Sequence, residues 1–129
     1  MRPLPIFLFF MLALAGGAAP TPSLAQSFVT GTEDVPLMAG LTEDEEAAVV
    51  FDTPGGRIVE AAATGPMNVA SVRDFYRRSL SSLGWTTVDG ETYLRGDETL
   101  RVVVTADGSK GIRVAFQLAP AGNGASSGG

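Results

Sequence analysis

Apolar and polar positions alternate over residues 85–119 of this chain, residues 47–63 hold two apolar-rich runs about a Pro-Gly-Gly turn, and between those stretches the apolar residues recur at spacings of three and four. A period of two places side chains on alternate faces of a strand, whereas spacings of three and four draw a stripe down one side of a helix. Ala47–Asp52 and Arg57–Ala63, short apolar-rich runs separated by turn residues, read as two strands, and Thr53-Pro54-Gly55-Gly56 between them supplies the turn of a hairpin. Gly65-Pro66 ends the hairpin, and Asn68 is placed to cap a helix over Val69–Leu83. In that helix Val69, Val72, Phe75, Tyr76, Leu80 and Leu83 form the apolar stripe, with Arg73, Asp74, Arg77 and Arg78 largely off it. Gly84 stands where a helix commonly closes through a left-handed residue.

From Trp85 the period switches to two. Trp85–Val88, Glu91–Arg95, Glu98–Ala106 and Gly111–Ala119 are separated by Asp89-Gly90, Gly96-Asp97 and residues 107–110, which predicts an antiparallel meander. In its last strand Ile112, Val114, Phe116 and Leu118 share one face and Arg113, Ala115 and Gln117 the other, so one side is buried and one is wet. The expected class is α+β: one amphipathic helix packed on an antiparallel sheet of four to six strands, in the order β-hairpin, helix, β-meander, over residues 47–119.

Residues 26–46 read as an acidic, irregular arm. Thr42–Glu46 within it suits a short helical turn, with Thr42 as cap and Glu45 completing a capping box. Residues 120–129, composed of Ala, Gly, Ser, one Pro and one Asn, read as a disordered tail.

The first 25 residues follow the order of a secretory signal peptide: a basic start at Arg2, an apolar run over Leu4–Leu14, then small residues with Pro20 and Pro22. The expected cut lies between Ala25 and Gln26, with Ala18 or Ala19 as alternatives. A membrane anchor would need about 20 apolar residues, and this run is nearer a dozen. A lipid anchor at the cut would need a cysteine, and the chain has none. The expected product is exported, to the periplasm by preference or to the medium, with no stable membrane anchor after cleavage.

Composition narrows what that product does. Cleavage would leave 104 of 129 residues, one domain's worth of chain. Loss of Arg2 leaves eight basic residues against 14 acidic, a net charge of −6 that argues against nucleic acid as a partner. Without disulfides, stability must come from packing and backbone pairing.

The absence of His and Cys removes the Ser-His-Asp triad, the Cys-His pair, the usual zinc sites and haem attachment from the chain's own repertoire. Several constellations remain, each with an ordinary reading. Ser109-Lys110 suggests a Ser-Lys nucleophile, and Gly108-Ser109-Lys110-Gly111 a phosphate loop, but the segment joins two strands where a phosphate loop opens a helix. Glu43-Asp44-Glu45-Glu46, with Glu33-Asp34 upstream, suggests calcium, but lacks the alternating ligands and central glycine of a calcium loop. Arg73, Arg77 and Arg78, joined by Arg57 and Arg113, suggest an anion face, although Asp74 four residues before Arg78 favours a local ion pair. Arg95-Gly96-Asp97 reads as a tight turn. No catalytic, cofactor or metal residue is assigned, and no cofactor is expected. Val35-Pro36-Leu37-Met38, inside the acidic Glu33–Glu46 arm, suits either strand addition to a partner or cover for the chain's own edge or core.

The Gly56-Arg57-Ile58-Val59-Glu60 strand, together with Val72-Arg73-Asp74-Phe75-Tyr76, Leu80, Leu83, Gly84 and Trp85, resembles a family of small exported bacterial α+β domains. The resemblance spans residues 47–118 and brings no catalytic residue with it. The expectation is an exported, non-catalytic module that binds an envelope protein or other envelope component. The alternatives are a carrier with an apolar cavity of several hundred Å³ between helix and sheet, and a carboxylate-based hydrolase with two carboxylates facing each other in a cleft.

Overall fold

The structure is a computed structural model that describes Pro3, Gly16, Gly17 and residues 26–108 and 111–124. The expected signal segment, apart from those three residues, lies outside the described part, as do Ser109, Lys110 and residues 125–129.

Strands β2 (Val49–Thr53) and β3 (Gly56–Gly65) form the first hairpin. Thr53 pairs with Gly56 across the two-residue turn Pro54-Gly55. Helix α1 (Val69–Ser82) follows, with the Asn68 side chain accepting the Ser71 N–H at 2.8 Å. The helix ends on Leu83, where Gly84 N–H reaches Ser81 C=O at 3.2 Å and Trp85 N–H reaches Leu80 C=O at 2.9 Å. Gly84 takes φ +89°, which only a residue free of Cβ adopts readily, and this closure delivers Trp85 into the core beside Leu80.

The meander comprises β4 (Thr86–Thr87), β5 (Thr92–Arg95), β6 (Glu98–Ala106) and β7 (Ile112–Pro120). β7 then pairs antiparallel with β3, Val59 opposite Leu118 and Gly65 opposite Ile112, which joins hairpin and meander into one sheet.

That sheet has seven strands, against the four to six expected. The addition comes from the arm, where β1 (Thr42–Glu43) pairs with Thr64 and Ala63 on the same side of β3 as β2. The expected helical turn at Thr42–Glu46 is accordingly corrected. Thr42 and Glu43 are extended, and Asp44 caps a 3₁₀ turn over Glu45–Ala47 by accepting the Glu46 N–H at 3.2 Å. At the other end, Pro120 is the last residue of β7 and Ala121–Gly124 make one helical turn, with Ala121 N–H on the Asp97 carbonyl.

Two layers cover one face of the sheet. α1 packs over β6 and β4, burying Val72, Tyr76 and Leu80, while Val69 and Phe75 are partly buried and Leu83 is exposed. The six-residue stripe is thus three residues wide at its buried centre. The arm covers the part of the sheet that α1 leaves: Val29, Val35 and Leu41 are buried in the same cluster as Val59, Ala61, Phe116 and Leu118. Residues 26–46 and 47–119 therefore share one core. The opposite face carries Glu60, Arg101, Arg113 and Gln117, interrupted by apolar positions, with no helix over it among the described residues.

Candidate functional site

β2 forms an edge of the sheet. Five residues in length, it exposes Val49 by 44%, Val50 by 42% and Phe51 by 48%. Val49 and Phe51 stand on the uncovered face beside Glu60 and Ile58, and Val50 stands on the covered face beside Val59, where the arm loop at Gly31 lies against it.

Backbone direction decides what the edge offers. The Ala62 carbonyl accepts the Asp44 N–H at 2.8 Å, so Ala62, and with it Glu60, Ile58 and Gly56 along β3, directs its backbone groups toward this edge. Their partners Val49, Phe51 and Thr53 point back at β3, which leaves the N–H and C=O of Val50 and Asp52 directed outward. Among the described residues no further strand pairs with them. Natural edges are commonly blunted by lysine, proline or inward charge, and Val49-Val50-Phe51 contains none of these. At the opposite edge β4 is only two residues long.

A second candidate is a recess of about 170 Å³ lined by Gly31–Val35, Arg57, Trp85, Arg95, Glu98 and Leu118. The Arg95 guanidinium lies 4.3 Å above the Trp85 ring and grips Asp34 through both terminal nitrogens at 2.6 and 3.1 Å, with Glu98 at 3.6 Å. The hydrogen bond to Asp34, then the surrounding carboxylate charge, raises the Arg95 pKa above its ordinary value against the opposing effect of burial. Trp85 Nε1 is buried with no hydrogen-bond partner among the described residues. Because it is also sealed from solvent, the recess does not present it to a ligand. Arg95 separates and neutralises Asp34 and Glu98, which do not form an acid and base pair across a cleft.

The other residues singled out in the sequence are dispersed. Asp74 pairs with Arg77 and not Arg78, whose Nε instead donates to the Asp74 backbone carbonyl at 3.3 Å. Three residues along the helix bring the guanidinium within reach, and four bring it over the carbonyl. Arg57 pairs with Asp52 at 3.0 Å and Arg113 with Asp44 at 3.7 Å, so neither joins the helix arginines. Of the acidic run, Glu43 accepts from both the N–H and the hydroxyl of Thr30, at 2.8 and 2.9 Å, and Asp44 serves as the cap. No cluster of three metal-ligating side chains occurs among the described residues. Gly96-Asp97 is the two-residue turn between β5 and β6, with Gly96 at φ +55°. Ser109-Lys110 lies outside the described residues.

The arm's Val35 and Pro36 are buried, and Leu37 and Met38 pack partly buried against the core. That segment covers its own domain, the second of the two readings of the arm. Sequence reasoning placed Val49-Val50-Phe51 in a strand but not at an open edge. Its one signal was the run Ala47–Phe51, apolar without alternation, a pattern more typical of strands covered on both faces.

Comparison with known proteins finds no matching family model, no matching curated protein and no matching solved structure.

Proposed function

We propose that this chain is an exported, non-catalytic binding module of the bacterial envelope, docking through the β2 edge. The observation that carries the reading is the exposed apolar triplet Val49-Val50-Phe51 on a strand whose outward backbone groups are unpaired among the described residues. Strand addition to such an edge draws affinity from main-chain hydrogen bonds and specificity from alternate side chains. Export rests on the signal-like order of residues 1–25; no helix among the described residues is long and apolar enough to cross a membrane.

The carrier reading has less support, because the space beneath α1 is filled: the Tyr76 ring meets Phe116 edge-on at 5.3 Å, and Val72 and Leu80 are fully buried. The hydrolase reading loses its nearest candidates, Asp34 and Glu98, to Arg95.

The test is a photo-crosslinking amino acid at position 51 of the full chain, produced in bacteria, with a control at Val88, which is 61% exposed but distant in the sheet order. Crosslinks from position 51 and not from position 88, in a product whose mass begins at Gln26, are expected. Crosslinking equal at both positions, or absent from 51, contradicts the docking surface, and a product retaining residues 1–25 contradicts export.

A further inference from the structure

We propose that the strand received by the β2 edge is β2 of a second copy, paired antiparallel about a two-fold axis at Val50. This inference rests on the binding-module reading above and names its partner.

Three observations select a second copy. The first is backbone direction. Val50 and Asp52 point outward, and by the same alternation so does Ala48 if the extended path continues one residue beyond Val49. A two-fold axis at Val50 sets Val50 opposite Val50, and Ala48 opposite Asp52 of the second copy. The Val50 pair is able to exchange both of its hydrogen bonds; the Ala48 N–H is already taken by the Glu45 carbonyl at 3.4 Å, so the Ala48–Asp52 pair offers one, from the Asp52 N–H to the Ala48 carbonyl.

The second is side-chain complementarity. In this register Val49 falls opposite Phe51 of the second copy, and Phe51 opposite its Val49. These are non-hydrogen-bonded pairs, in which side chains approach most closely, and they join a β-branched residue to an aromatic one. Both pairs lie on the uncovered face, where each Phe51 already neighbours Ile58. The two exposed apolar clusters would merge into one strip shielded from water.

The third is charge. Asp52 is already held by Arg57 of its own copy at 3.0 Å, and in this register it meets Ala48, so no like charges are opposed. Glu46 would fall toward Pro54 of the second copy. The chain's net negative charge opposes association at long range, so added salt strengthens the pairing by screening.

The register makes a specific test. Protein purified from cells expressing the full chain is compared by sedimentation with V49K, F51E and V49K/F51E, each first checked for an unchanged thermal transition, since both side chains are about half exposed. The wild type is expected to be a dimer at concentrations on the order of 0.1 mM, with V49K and F51E each weakening it about tenfold or more. V49K/F51E should recover association, because each introduced ammonium faces an introduced carboxylate of the other copy. A wild type that stays monomeric, a dimer indifferent to V49K and F51E, or a double variant weaker than both singles overturns the proposal. A monomer that nevertheless crosslinks another envelope protein through position 51 overturns self-pairing while leaving the module reading intact, and a monomer without crosslinks overturns both.

Discussion

The Tyr76 hydroxyl donates to the Pro36 carbonyl oxygen at 2.9 Å and itself accepts the Met38 N–H at 3.2 Å. Forty residues apart, these groups bind the arm to α1, the two elements that jointly cover the sheet. Tyr76→Phe leaves the ring on Phe116 but orphans a buried carbonyl and an N–H, at a cost of about 1–3 kcal/mol. Loss of stability together with faster proteolysis of residues 28–38 is expected, and an unchanged melting temperature contradicts the tether.

Burial pushes the Tyr76 pKa up to about 12, against a weaker lowering by the Met38 N–H. The unfolded phenol ionises near its ordinary 10 while the folded one holds its proton, so this stability is complete below pH 10 and is lost as pH rises toward 12. Chemical denaturation across that range should show a decline in the wild type on the order of 2 kcal/mol that Tyr76→Phe reduces.

Arg95 and Asp34 form the second clasp on the arm, with side chains 27% and 36% exposed. Solvent weakens such a pair, but its two-point geometry strengthens it, so a double-mutant cycle with Arg95→Ala and Asp34→Ala should give a coupling of about 1 kcal/mol. Arg95→Lys should recover only part of it, since an ammonium lacks the planar fork. A coupling near zero would leave the arm to its apolar contacts and the Tyr76 hydrogen bonds.

Trp85 is 3% exposed, and its Nε1 is buried without a partner among the described residues. Trp85→Ala should cost on the order of 3 kcal/mol or more through the cavity it opens. Trp85→Phe should cost less than half as much, because it also removes the orphaned donor. Equal losses in equilibrium unfolding would contradict this account of the indole.

Immediately before β7 Gly111 adopts φ +136°, and a Cβ there would stand 2.0 Å from the Gly65 carbonyl oxygen. Backbone cannot yield as a flexible side chain does. Gly111→Ala should therefore destabilise by on the order of 3 kcal/mol, measured beside Gly90→Ala, whose added methyl meets nothing within 4 Å.

What the sequence made legible was local. The hairpin turn at Pro54-Gly55, the Asn68 cap, the Gly84 closure and the alternation of Ile112–Leu118 each follow from residues a few positions apart. Phe75 is only partly buried because the next residue, Tyr76, points straight at the sheet, a rotation of the stripe that spacing alone leaves open. β1 escaped because Thr42-Glu43 gains its extended form from Thr64 and Ala63, twenty residues away. The Asp34–Arg95 clasp spans 61 residues, and nothing near either residue announces it. The candidate site was least legible, because an apolar run is read as buried unless the order of strands is known, and only that order places β2 at an edge.

The outward N–H groups of Val50 and Asp52 give the most direct test of that edge. Their hydrogen exchange, followed by NMR over increasing protein concentration, should slow together as a second copy pairs with them and stay fast in V49K. Rapid exchange of both at every concentration would contradict β2 as a self-pairing edge.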